Sequence, residues 1–263
     1  VRFARSLVRG LQHAVPAGRG VTILCYHLVE AGTSSPVDLP AELFRRQMEE
    51  LAASARVLAL HDAVAELGSG EIPERTAALT FDDAYANFAE EVWPVLEELG
   101  LPATLFVPVG FLERTSGAPM AVAEDLPPIT WERLRELAHS GLLTIGAHSL
   151  THPDLRRFSD QELERELALS RRRLEERLEI EVDTFCYPRA LWNRRVEAAV
   201  GRHYRLAAIG GGRLLTPANF RPLRLWRTSI RRDGPVSLAP ILSSRLWLEE
   251  WLADLWRRSP WRA

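Results

Sequence analysis

The chain has 263 residues, 33 of them basic and 35 acidic, for a formal charge of −2, and 46% of its residues are hydrophobic. Balanced charge excludes the basic excess of a nucleic-acid surface, and no run approaches the roughly 18 apolar residues of a membrane span. Every basic residue is Arg, which excludes a Schiff-base lysine, and Cys25 and Cys186 form no disulfide framework, so a reducing compartment is expected.

Residues 1–20 carry four Arg and no acid, with scattered apolar positions, and lack the continuous apolar core of a secretory signal. From Val21 onward short apolar runs alternate with helical patterns. The runs Val21–Tyr26, Arg56–Leu60, Ala77–Phe81, Thr104–Pro108, Leu143–Ala147, Thr184–Tyr187, Leu206–Ile209 and Leu223–Ser229 are expected to be buried strands, being too short for helices. Between them, Phe44, Met48 and Leu51 share one helical face, and Phe88, Val92, Leu96 and Leu99 share another that ends at Gly100. Thr130 is placed to cap a helix stopping at Gly141. Ser159 and Glu162 form a capping box ahead of a Leu163, Leu167, Leu174, Leu178 stripe. Seven or eight β-then-α units with no Pro/Gly/Ser-rich linker predict an α/β chain whose parallel sheet closes into a barrel over residues 21–236. Residues 1–20 are expected to be an extension. The last 27 residues, 237–263, hold four of the eight Trp and predict an appended amphipathic C-terminal helix, packed on the barrel or meeting a membrane surface.

In such a barrel the chemistry sits where strands end. The run Ala77–Phe81 leads directly into Asp82 and Asp83. A second run, Leu143–Ala147, leads into His148-Ser149-Leu150-Thr151-His152. An isolated Asp-Asp is more often a polar turn, and a lone His at a strand end a satisfied polar residue. Two His four residues apart can converge on one ion if their segment makes a turn of helix, and an Asp from another strand end completes a His₂-carboxylate set open to water. Adjacent Asp residues on an extended strand point to opposite faces, so both serve one site only if the strand end turns.

Together these residues resemble the polysaccharide deacetylases, carbohydrate esterase family 4. Thr80-Phe81-Asp82-Asp83-Ala84-Tyr85 is similar to that family's first motif, His148 to His152 to its second, and Leu24-Cys25-Tyr26-His27 to the segment that opens many members. The resemblance spans roughly residues 21–230. It implies a distorted (β/α) barrel of usually seven strands and a divalent metal, most commonly zinc, with Asp83, His148 and His152 as ligands and Asp82 as general base. Phe185-Cys186-Tyr187-Pro188-Arg189 departs from the third motif: Cys186 stands where an arginine orienting the base is usual, and Arg189 where a tyrosine contributes an oxyanion-holding backbone N–H. Tyr187 and Arg189 are the expected substrate and oxyanion contacts. No histidine follows His203, so the proton donor to the leaving amine is absent from its usual late position. His27 is the substitute by position, with Asp82 returning the proton itself as the alternative.

The implied function is metal-dependent removal of acetyl groups from N-acetylated sugars of a polysaccharide or glycoconjugate. A non-catalytic carbohydrate-binding relative and an O-acetyl sugar esterase are the alternatives. The expected partner is the glycan, with no nucleic acid and with peripheral membrane contact through the C-terminal helix as the variant reading; oligomeric state is left open. The expected location is cytoplasmic, or peripheral at the inner membrane face.

Overall fold

Seven of the apolar runs lie side by side and parallel in the computed structural model, which describes residues 19–69, 72, 75–114, 123 and 125–242. They are β1 (Val21–Tyr26), β5 (Thr76–Phe81), β6 (Ala103–Val107), β7 (Leu143–Ala147), β8 (Thr184–Cys186), β9 (Leu206–Gly210) and β10 (Leu225–Ser229). β1 pairs with β5 from Val21↔Thr76 to Tyr26↔Phe81 and with β10 from Ile23↔Arg227 to Cys25↔Ser229, which closes the sheet into a barrel. The minor pair β2 (Leu28–Val29) and β3 (Asp38–Leu39) stands apart.

The eighth expected strand is shorter than the sequence pattern predicts. β4 covers only Arg56–Val57, pairs with Thr76 and Ala77 at the start of β5, and lies outside the closed ring. Leu60 instead opens α2 (Leu60–Ser69). Buried Leu60, Ala63 and Leu67 of α2 join Ile23, Ala78, Phe106, Ala208 and Leu225 in one apolar cluster, so α2 packs against the core inside the barrel. That burial outweighs the β-propensity that made the run look like one long strand.

Alternation sorts the rest. Inward positions include Cys25, Thr80, Phe106, Gly146, Cys186 and Arg227, whereas Leu24, Tyr26, Leu79, Phe81, Leu105, Ile145, Phe185 and Ile209 join the helical shell. α1 (Ala41–Ser54) contributes Phe44, Met48 and Leu51 to that shell, and α6 (Asp160–Leu178) contributes the full expected leucine stripe behind its capping box. Thr130 caps α5 (Trp131–Ala138) and Asn193 caps α7 (Arg194–His203). The helix expected from Phe88 is split: Phe88–Val92 is a π-helical turn and only Trp93–Leu99, α3, is regular. Pro94 has no N–H to return to the preceding turn, which accounts for the widened start. A short α4 (Val109–Leu112) follows β6, and α8 (Ala239–Leu242) closes the described chain.

Glu50 of α1 receives Ser237 Oγ at 2.7 Å and the N–H groups of Leu238 and Ala239 at 2.9 and 3.0 Å, which seats Leu238, Ile241 and Leu242 in the barrel's shell. The remainder of the expected Trp-rich helix, 243–263, and extension residues 1–18 lie outside the described residues. No helix among the described residues is long and apolar enough to cross a membrane.

Candidate active site and metal centre

Asp82 follows β5 with its N–H donated to Tyr26 O at 3.1 Å, so it continues the sheet and keeps the inward parity of Ala78 and Thr80. Asp83 then takes a left-handed conformation, φ 75°, and Ala84 follows at φ 53°. This is the strand-end turn that the paired carboxylates need: without it Asp83 would face the helical shell. Both are buried.

His148 and His152 meet Asp83 at the mouth. Asp83 Oδ1 lies 3.6 Å from His148 Nε2 and 3.7 Å from His152 Nε2, and the three ligand atoms are all within 4.8 Å of one another. The expected turn of helix is not what converges them. Residues 148–152 form an irregular turn with Ser149 at φ 64° and His152 at φ 56°. It is held from outside by Glu166 of α6, which accepts the N–H groups of Leu150 and Thr151 at 2.9 Å each and the Thr151 hydroxyl at 2.7 Å. Ser149 Oγ adds a bond from the His152 N–H at 2.9 Å. A helical turn would carry the segment away from the sheet, whereas left-handed corners fold it back, and Glu166 neutralises the donors they expose.

The donor set suits a divalent ion. His148 donates Nδ1–H to Cys186 O at 2.8 Å, which fixes Nε2 as the bare nitrogen facing Asp83. This bond lies where β7 and β8 part, with Ala147↔Phe185 their one paired position. Burial lowers the basicity of both rings, His152 down to about 3, so they are neutral ligands at neutral pH. Burial, reinforced by the Asp82 charge, pushes the Asp83 carboxyl up to about 8. A buried acid facing two imidazole nitrogens at distances beyond a hydrogen bond is a donor set that a divalent cation would satisfy. Ligands on one zinc ion stand roughly 3.0–3.4 Å apart at usual bond lengths, and the two distances from the Asp83 carboxylate to the imidazole nitrogens, 3.6 and 3.7 Å, are only slightly longer.

Asp82 has a different environment. Its Oδ1 accepts Arg227 Nη1 and its Oδ2 accepts Arg227 Nη2, both at 2.7 Å. Burial opposes ionisation, but the Arg227 charge and its hydrogen bonds outweigh it and hold the carboxyl well below the usual range. The Cys25 and Cys186 thiols lie 3.6 and 3.7 Å from Oδ2. Both cysteines are free, as the sequence suggested. Arg227 and Glu166 are the residues that sequence reasoning passed over. The available signal for Arg227 was its parity, a charge sharing the inward face of β10 with Leu225; for Glu166 it was a carboxylate one position from Leu167 on the buried face of α6.

His27 lies with Nε2 3.8 Å from Asp82 Oδ2, at the rim and 18% exposed. Burial of the ring lowers it to about 4. Of the expected oxyanion pair, Arg189 is exposed at the end of β8 with φ 56°. Tyr187 is a correction: its side chain is buried on the helical side, its hydroxyl donates to Leu223 O at 3.0 Å, and its N–H is spent on Ala208 O at 3.1 Å. Parity turns it outward, away from the mouth.

A closed parallel barrel carrying a buried Asp-His-His set at its strand ends defines a class of α/β barrels with a candidate metal centre at the mouth. The chain belongs to the polysaccharide deacetylase family, whose model matches residues 69–206, more than half of the chain. It is 26% identical over 187 residues to the putative polysaccharide deacetylase YxkH of Bacillus subtilis, covering 70% of this chain and 62% of that protein. It is 31% identical over 90 residues to the poly-beta-1,6-N-acetyl-D-glucosamine N-deacetylase of Escherichia coli, covering 32% of this chain and 13% of that protein. The chain thus spans less than two thirds of the length of either relative. Among solved structures it superposes on the Streptococcus pyogenes deacetylase PplD with a TM-score of 0.71 at 22% identity, covering 84% of this chain and 96% of that one. For IcaB from Ammonifex degensii the TM-score is 0.68 at 20% identity, covering 88% and 97%. These likenesses establish the (β/α) barrel of the deacetylases as its fold.

Proposed function

We propose that this protein is a metal-dependent hydrolase that removes acetyl groups from N-acetylated sugars of a polysaccharide or glycoconjugate, with zinc as the ion held by Asp83, His148 and His152. The observation that carries this reading is the convergence of that ligand set beside an ionised carboxylate, Asp82, in a chain of this family. The ion, when bound, lowers the pKa of water and polarises the acetamide carbonyl.

The chain's own groups account for the remaining steps. Asp82 takes a proton from the attacking water through Oδ2, the oxygen that faces His27. Water oxygen bonds to the carbonyl carbon, and the backbone N–H of Arg189 holds the oxyanion. His27 is neutral at rest, so the proton it delivers must arrive during the reaction; Asp82 Oδ2, 3.8 Å away, supplies it. The carbon–nitrogen bond then breaks, the sugar nitrogen takes the His27 proton, and acetate and a free amino sugar leave. One water proton thus passes from Asp82 to His27 to the amine.

The test is acetate release from N-acetylglucosamine oligosaccharides by zinc-loaded protein, compared with chelator-treated protein. Metal-dependent release is expected. Release only from O-acetylated xylan would make the protein an esterase, and oligosaccharide binding without release would make it a non-catalytic carbohydrate binder.

A further inference from the structure

Arg189, just past the end of β8, is an exposed cation with neither an ion pair nor a side-chain hydrogen bond among the described residues. Most guanidiniums of the neighbouring loops are engaged elsewhere. Asp154 accepts Arg156 at 2.8 Å and lies 3.4 Å from Arg157. Glu197 lies 2.9 Å from Arg224, which also stacks on Trp192, and Arg213, after β9, lies 5.0 Å over the Trp226 ring. Arg194 lines a hollow on the outer shell with Trp192 and Glu197. Arg189 is also held at a fixed place. It and Ala190 are left-handed, at φ 56° and 55°, and the turn is closed by the Ala190 N–H to Tyr187 O at 3.1 Å and the Leu191 N–H to Pro188 O at 3.0 Å. Ala190 abuts β9, where a Cβ on Gly210 would come within 3.1 Å of its own.

The charge of Arg189 reaches the site. Burial raises the Asp83 carboxyl, and Arg189 is among the cations that pull it back; burial lowers His152, and Arg189 lowers it further. With a divalent ion in place the mouth is positive even without this residue. Asp83 meets one of the ion's two charges, Arg227 cancels Asp82, and His27, His148 and His152 are neutral. A further cation repels the ion and weakens its binding, and no carboxylate among the described residues is paired with it to offset that repulsion. A neutral glycan leaves the repulsion standing. An anionic group on the glycan removes it, and a guanidinium fork fits a carboxylate or a phosphate through two parallel hydrogen bonds.

We propose that the Arg189 side chain selects glycans carrying an anionic substituent, a carboxylate or a phosphate, on or beside the N-acetylated sugar. This rests on the reading of the barrel mouth as the glycan site. The role is separate from that of the Arg189 backbone N–H, which acts alike on charged and neutral sugars. Because the guanidinium is exposed, the selection is screened by salt.

The experiment uses two matched ligand pairs on zinc-loaded protein: methyl N-acetylglucosaminide against N-acetylglucosamine 1-phosphate, and a neutral N-acetylglucosamine tetramer against one alternating with glucuronate. Binding is read by calorimetry and acetate release as kcat/KM. Wild-type protein is expected to favour the charged member by about ten- to a hundredfold at low salt, the range for a charge-assisted hydrogen bond, in the phosphate pair, the carboxylate pair or both; the pair that shows it identifies the substituent. Arg189→Met is expected to abolish the preference and Arg189→Lys to keep part of it. A direct contact of phosphate with zinc, or a loss through the backbone N–H, is common to the proteins or ligands compared and drops out of the ratios. Without any glycan, Arg189→Met is expected to bind zinc severalfold more tightly, since a like charge is gone. Equal binding of charged and neutral members, a preference that survives Arg189→Met, or zinc affinity untouched by that change would each overturn the proposal. So would an equal loss of kcat on charged and neutral substrates with binding unchanged, which would place the guanidinium on the oxyanion. An Arg189-dependent binding preference without acetate release from any ligand would uphold this selection and remove the deacetylase reading alone.

Discussion

Glu166 and Thr151 are joined twice, through the Thr151 N–H at 2.9 Å and its hydroxyl at 2.7 Å, and this pair pins the turn between His148 and His152 to the interior of α6. The turn contains two residues, Ser149 and His152, in a left-handed conformation that non-glycine residues adopt only at a cost. Glu166→Ala removes three hydrogen bonds from it. Zinc affinity is expected to fall about 10- to 100-fold, the range for a partner just outside the ligands, measured by competition with a chromophoric chelator. Unchanged affinity would show that the turn holds itself.

His148→Ala and His152→Ala should each strip most of the metal from a dialysed sample, because each removes one of the three proposed ligands. Metal analysis after dialysis decides it: a double variant that keeps a full equivalent would place the ion elsewhere.

Asp82→Asn should keep the metal and lose on the order of 10²–10⁴ in turnover. It also leaves Arg227 as a buried charge without its counter-ion, a change that typically costs about 3–5 kcal/mol, so the melting temperature should drop as well. Retention of both turnover and melting temperature would contradict the pairing and the role together.

His27→Ala is expected to lower kcat with little change in KM, since the ring handles a proton and is not required to seat the glycan. A rate independent of His27 would leave Asp82 to return the proton itself.

Metal binding should depend on pH through Asp83. In the metal-free protein its carboxyl is raised from 3.8 to about 8, so the folded state holds the proton more tightly than the unfolded chain. That contribution to stability is complete below 3.8 and is lost as pH rises to about 8. The ion needs the proton gone, so apparent affinity should climb by up to about tenfold per pH unit over this window and level off above it. His152, lowered from 6.5 to about 3, stays neutral through most of it. Melting curves with and without zinc should separate increasingly as pH rises from about 5 to about 8. A separation that is constant or shrinks would remove Asp83 from the ligand set.

Much of this protein is legible along the chain. Strand and helix alternation, the Ser159–Glu162 capping box, and the placement of Asp82-Asp83 and His148–His152 at strand ends all follow from local periodicity and punctuation. Local signals cannot show which distant side chains share the interior. Arg227 lies 145 residues from Asp82 in sequence, and only closure of β1 onto both β5 and β10 brings them together. The same holds for Glu166 and the histidine turn, where a helix interior completes a loop that local geometry alone would have made helical. Tyr187 was misplaced for the converse reason: its motif neighbours mark the mouth, but strand parity turns its own ring outward to Leu223. The sequence by itself determined the elements and the reactive residue types, because these depend on neighbours a few positions away. The tertiary structure alone decided the partners, because barrel closure and inward parity determine which charges must neutralise one another where water is excluded.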